Sequence, residues 1–207
     1  RFGPARDLDV LRTELLDAIA PEWLVGTVTF RDLIDVVDAE RHAAHEAAKR
    51  ALDPAEQARI ILAFSADLLQ LQGSGPDPGL KLAEFARERL IRAQRRARER
   101  FNAASGLEPA QLHRLRISLK ELRYAVEFFA PLFGRKTVRA YLEQLTQAQT
   151  LLGYLQDMEV ARGWLAIWTH EAPSLSLVAG FVLGWHGPRY ASFRSQVLEN
   201  TRPVLWG

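Results

Sequence analysis

The chain has 207 residues, 48% hydrophobic and 25% charged, with a net charge of +2. This suits one globular domain or two small ones, burying about 70% of the unfolded surface without a covalent staple. The chain has no cysteine, which excludes disulfides, Cys-ligated zinc and a thiol nucleophile, and fits a reducing, cytoplasmic compartment. No apolar run reaches the roughly 18 residues of a membrane span, so no membrane partner is expected.

The elements read as helices throughout. Residues 7–20 place Leu8, Leu11, Leu15 and Ile19 at helical spacing, with Asp7 as a candidate N-terminal cap and Pro21 as the stop. Residues 22–30 are short and carry Gly26 in the middle, which reads as a turn or a helix start. A second helix covers 31–51. Asp53-Pro54 breaks the chain, and Pro54 suits the first turn of a third helix over 54–71. GSGPDPG at 73–79 is the clearest loop.

A long basic helix follows over 80–102, closed by Gly106, and Pro109 opens the next, which runs to Gly134. Helices are expected over 136–153, ending at Gly153, then over 156–170 and 174–201, the last kinked at Gly187-Pro188. The fold class is therefore all-α: a bundle of seven or eight helices with short, antiparallel connections. The chain opens without Met or a signal-peptide pattern, which reads as a boundary within a longer protein.

Charge is unevenly spread. Between Lys81 and Arg139, fifteen Lys and Arg face six Glu, a net of +9, and the remainder carries −7. A concentrated positive field suits a polyanion. The helix over 112–134 is the sharpest instance. At about 100° per residue, His113, Arg116, Lys120 and Arg123 share an arc of roughly 80°, with Glu127 in the same arc. Leu115, Leu119, Leu122, Val126 and Phe129 form an apolar arc centred about 120° away. Arg89, Arg92, Arg96 and Arg100 form a second stripe, and Arg41, His45 and Lys49, with His42 at its edge, a third.

The segment 2–11, FGPARDLDVL, aligns with 152–161, LGYLQDMEVA, at an offset of 150 residues. Gly3 matches Gly153, Asp7 matches Asp157, Asp9 matches Glu159, and Val10 matches Val160. Read as a repeat, residues 1–78 hold the end of a first copy plus connecting helices, and 79–207 hold the second. A basic helix matching that of His113 is then expected upstream of residue 1.

These motifs resemble the CHAD family, the conserved histidine α-helical domain. The resemblance rests on the His-x-x-Arg-x-x-x-Lys-x-x-Arg pattern of His113, Arg116, Lys120 and Arg123, on Tyr124 and Glu127 behind it, and on Leu152, Gly153, Asp157 and Val160. It implies two pseudo-symmetric four-helix bundles around a basic groove that binds inorganic polyphosphate. The absence of a Glu-x-Glu-x-Lys strand means that the triphosphatase activity of modules often fused to this family does not carry over.

Polyphosphate carries about one charge per phosphate and no bases, so a binder needs spaced cations along a groove. His113 to Arg123 rise by about 15 Å along one helix, and arginine forks chelate phosphate oxygens in pairs. The binding set is thus His113, Arg116, Lys120, Arg123, Arg89, Arg92, Arg96, Arg41, His45 and Lys49. No cofactor or metal is expected. Asp7, Asp9, Asp157 and Glu159 read as helix caps or partners of the arginines, not as catalytic carboxylates. Trp164, Trp168, Trp185 and Trp206 read as packing. The expected protein is a non-enzymatic polyphosphate-binding module located in the cytoplasm, including at polyphosphate granules. Rival readings are a nucleic-acid binder, a module docking an acidic protein, and a metal-dependent phosphohydrolase.

Overall fold

A computed structural model describes residues 3–19, 28–52, 54–73 and 81–202. All the regular elements among these residues are helical. They are α1 (Gly3–Val10), continued by a π-helical segment (Leu11–Leu16), α2 (Val28–Ala51), α3 (Pro54–Gly73), α4 (Leu82–Ala103), α5 (Pro109–Phe129), α6 (Arg135–Glu171) and α7 (Ser176–Asn200). Residues 22–27 of the expected turn, loop residues 74–79 and Trp206 lie outside the described residues.

Two compact units emerge. One comprises residues 1–79 and 164–183, the other 80–163 and 184–207. The division near residue 79 falls in the Gly/Pro-rich stretch, whereas residues 164–183, the end of α6 and the start of α7, group with the first unit.

In the first unit, α1 and its π-helical extension pack on α2. Leu8, Leu11, Leu15, Leu16 and Ile19 are buried, as are Phe30, Leu33 and Val37 of α2. Asp7 does not cap a helix. It lies within α1, which starts four residues earlier at Gly3. α3 is different: none of its described side chains is buried, and Ile61, Leu62 and Leu69 are 64%, 69% and 68% exposed.

The second unit is a bundle whose core joins Ala86, Leu90 and Ala97 of α4, the apolar stripe of α5, and Val138, Tyr141, Leu145, Ala148, Leu151, Leu152 and Leu155 of α6, with Val197 of α7. α4 and α5 form a tight hairpin. A 3-10 turn at Ala104–Gly106 ends α4, Leu107 takes a left-handed φ of 56°, and Pro109 stands at the start of α5. Arg194 donates to the Leu107 carbonyl at 3.3 Å. Pro109 lacks only an N–H that no helix start uses, so it favours initiation there. Buried Gln94 donates to the Tyr141 hydroxyl at 3.4 Å. Burial pushes the Tyr141 phenol up to about 12, against the opposing effect of that hydrogen bond.

One expected break is absent. Gly153 does not end a helix, because α6 runs unbroken through it for 37 residues. An interior glycine costs about 1 kcal/mol relative to alanine, less than the burial of Leu151, Leu152 and Leu155 around it supplies. Pro188, where a kink was expected, sits inside α7. Burial makes a direct prediction. Leu119→Ala, at 0% exposure, should lower stability by about 2–5 kcal/mol in urea unfolding. Ile61→Ser on α3 should stay within about 0.5 kcal/mol.

Candidate functional site

α5 is built as the alternation of its side chains demands. Leu115, Leu119, Leu122 and Val126 are at most 1% exposed. Burying them points His113, Arg116, Lys120 and Arg123 along the flank of α5 that borders α6. There the cations meet amides. His113 Nδ1 lies 2.8 Å from Gln156 Oε1. A carbonyl oxygen only accepts, so Nδ1–H donates, and Nε2 donates to an anion only when the imidazole is protonated.

Arg123 Nε donates to Gln149 Oε1 at 2.9 Å, while Gln149 Nε2 donates to the Leu119 carbonyl at 3.1 Å. The Leu119 carbonyl thereby fixes which end of Gln149 faces the arginine. Arg123 Nη1 also reaches Glu127 at 2.5 Å, the i,i+4 pairing that the sequence suggests. The Arg123 guanidinium stacks 4.8 Å from the Tyr124 ring centroid, and the Lys120 ammonium lies 5.6 Å from it. Half-buried Arg116 makes no hydrogen bond or ion pair among the described residues, and Lys120 has no carboxylate partner among them.

The other two stripes have different surroundings. Arg41 Nε meets Asp9 Oδ1 at 2.5 Å, and His45 Nε2 lies 3.0 Å from the same carboxylate. The hydrogen bond from His45, then that from Arg41, holds the Asp9 carboxyl below its ordinary range, against a smaller opposing effect of burial. Lys49 bonds Glu46 at 2.7 Å. On α4, Arg92 pairs with Glu88 at 2.9 Å and Arg96 with Glu121 of α5 at 3.1 Å. Glu121 lies roughly 120° round α5 from the centre of the His113 stripe, so Arg96 reaches α5 from its opposite flank. Arg89 stacks on Phe85 at 5.0 Å.

The four repeat carboxylates are not caps, since all lie inside helices. Asp9 and Glu159 act alike. Asp9 of α1 binds Arg41, 32 residues on. Glu159 of α6 accepts from the Tyr190 hydroxyl, 31 residues on, and sits 3.7 Å from Arg162. Asp9 and Glu159 thus each tie their helix to the next one in the same unit. Trp168 is buried and Trp164 stacks on it at 5.5 Å, while Trp185 is 38% exposed. Among the described residues no three His, Asp or Glu side chains gather as a metal-holding group, and no helix is long and apolar enough to cross a membrane.

Gln149 and Gln156 are candidate-site residues that helical periodicity does not reveal. The available signal is a run of thirteen residues without a formal charge, 144–156, between Glu143 and Asp157. Such a run alongside a cationic helix supplies no carboxylate to neutralise the cations.

The fold and this flank define a class: an all-α bundle that presents ordered cations along one helix. The CHAD domain family profile matches residues 1–166, and the chain belongs to the CHAD family. The crystal structure of the CHAD domain from the plant Ricinus communis is similar, with a TM-score of 0.75 and 28% identity, over 98% of this chain and 68% of that one. No curated protein matches.

Asp9 gives a pH prediction. Its folded-state carboxyl titrates lower than in the unfolded chain. Its stabilisation is therefore fully present above the unfolded value and lost as pH falls through the lowered folded value. Thermal melts between pH 6 and 2.5 should show the wild type losing stability in acid more steeply than Asp9→Asn.

Proposed function

We propose that the chain is a non-enzymatic module that binds inorganic polyphosphate along α5, using His113, Arg116, Lys120 and Arg123. One observation carries the reading. His113 and Arg123 are held in place by neutral glutamine amides, and Arg116 and Lys120 by no carboxylate at all. Amides order a cation without cancelling its charge. Only Glu127 opposes the row, at its end. Arginine forks and a lysine point charge spaced over about 15 Å match a linear run of phosphates.

Arg41, His45, Lys49, Arg92 and Arg96 are already satisfied by carboxylates, so in this reading they contribute less than the α5 row. A ligand would have to displace Asp9, Glu46, Glu88 or Glu121 to reach them. Arg89, stacked on Phe85, belongs with the general positive field.

The test uses two side chains that have no hydrogen bond or carboxylate partner among the described residues. Arg116→Ala with Lys120→Ala should cost about 1.5–3 kcal/mol for each lost charged contact at low salt, with helicity unchanged by circular dichroism. Affinity should fall steeply with salt through counterion release. Unchanged affinity would place the site elsewhere. Incubation with magnesium and triphosphate should release no phosphate above background.

A second reading, single-stranded nucleic acid, has one observation in its favour. Tyr124 is 49% exposed and flanked by Lys120 and Arg123, a ring on which a base could stack. Tyr124→Ala should leave polyphosphate affinity within about twofold and would weaken single-stranded RNA by roughly 1–3 kcal/mol if a base stacks there. Labelled polyphosphate challenged with RNA and duplex DNA separates the two readings. Equal competition per phosphate by duplex DNA counts against polyphosphate.

A further inference from the structure

At the turn between α5 and α6 lies a cavity of about 730 Å³. Ala130, Pro131, Val138 and Leu142 form its apolar side, and Thr146 and Gln147 close one end. Two arginines stand over it. Arg135 and Arg139 are one turn apart on α6, and both line the cavity. Arg135 has no hydrogen bond or ion pair among the described residues. Arg139 has only a loose contact, Nε to Glu143 at 3.6 Å, with both side chains largely exposed. Such a pair is weak in water. None of the lining residues belongs to the α5 stripe.

An apolar wall beside two weakly engaged guanidiniums asks for a ligand with both characters. A phosphate or carboxylate alone would leave the wall wetted. A neutral hydrocarbon would leave the forks unused. The volume lies within the roughly 300–1,000 Å³ range of small-molecule pockets. We propose that this groove binds an amphiphilic anion, its hydrocarbon body on Pro131, Val138 and Leu142 and its single anionic head between Arg135 and Arg139. Glu143 competes for Arg139 and limits affinity.

Calorimetry on the full chain, below micellar concentrations, tests this with decyl phosphate, decanoate, decanol and inorganic phosphate. Decyl phosphate and decanoate should each bind at one saturable site, and their ratio tells a phosphate-headed from a carboxylate-headed ligand. Decanol and inorganic phosphate should bind at least about tenfold more weakly. Arg135→Ala with Arg139→Ala should cost roughly tenfold or more, and Glu143→Gln should tighten binding a few-fold.

Exposed apolar residues on α3 could also take up a hydrocarbon, so a filling variant supplies the control. Thr146 is exposed, and Thr146→Trp should block the groove while leaving both arginines and the fold intact. Loss of the saturable heat in this variant supports the proposal. Retained decyl phosphate binding in Thr146→Trp or in the double arginine variant overturns it, as does inorganic phosphate binding as tightly as decyl phosphate.

Discussion

The burial of one stripe of α5 constrains everything that faces the other way. Leu115, Leu119, Leu122 and Val126 interlock with α4 and α6. A helix cannot rotate about its axis without exposing such a stripe, at a cost of about 1.5–3 kcal/mol for each large side chain. That rotational lock sets His113, Arg116, Lys120 and Arg123 along the α6 border. The lock and the cationic flank therefore share a helix, and Gln149 joins them, bonding both the Leu119 carbonyl and the Arg123 guanidinium.

The two kinds of cation partner divide the basic residues. Carboxylates meet Arg41, His45, Lys49, Arg92 and Arg96, and these contacts tie helices together or decorate a helix face. Amides meet His113 and Arg123. The chemistry of the partner, more than the count of arginines, separates cations paired with carboxylates from cations held by neutral amides. The aligned acids Asp9 and Glu159 behave alike, each linking its helix to the one that follows in the chain.

Much of this was legible beforehand. The all-α architecture, the α5 seam, Pro109 at a helix start and the Arg123–Glu127 pair all follow from 3.6-residue spacing and local chemistry. Membership of the CHAD family was legible in the His113 motif. Breaks were less so. Gly153 looked like a stop because local preference disfavours it, but flanking leucines buried in the core outweigh that preference. Asp7 looked like a cap because it precedes an apolar run, yet α1 begins earlier. The amide contacts were illegible for a different reason. Gln149 and Gln156 lie 26 and 43 residues from their partners, and periodicity within one helix says nothing about which side chain arrives from another.

Side-chain NMR of the arginine Nε and glutamine amide groups, followed during titration with polyphosphate of defined length, tests the central claim most directly. The account predicts that Arg116 and Arg123 shift first, together with the amides of Gln149 and Gln156, while Arg41, Arg92 and Arg96 stay near their free positions. Early, saturating shifts at Arg41, Arg92 or Arg96, with Arg116 and Gln149 unmoved, would contradict it.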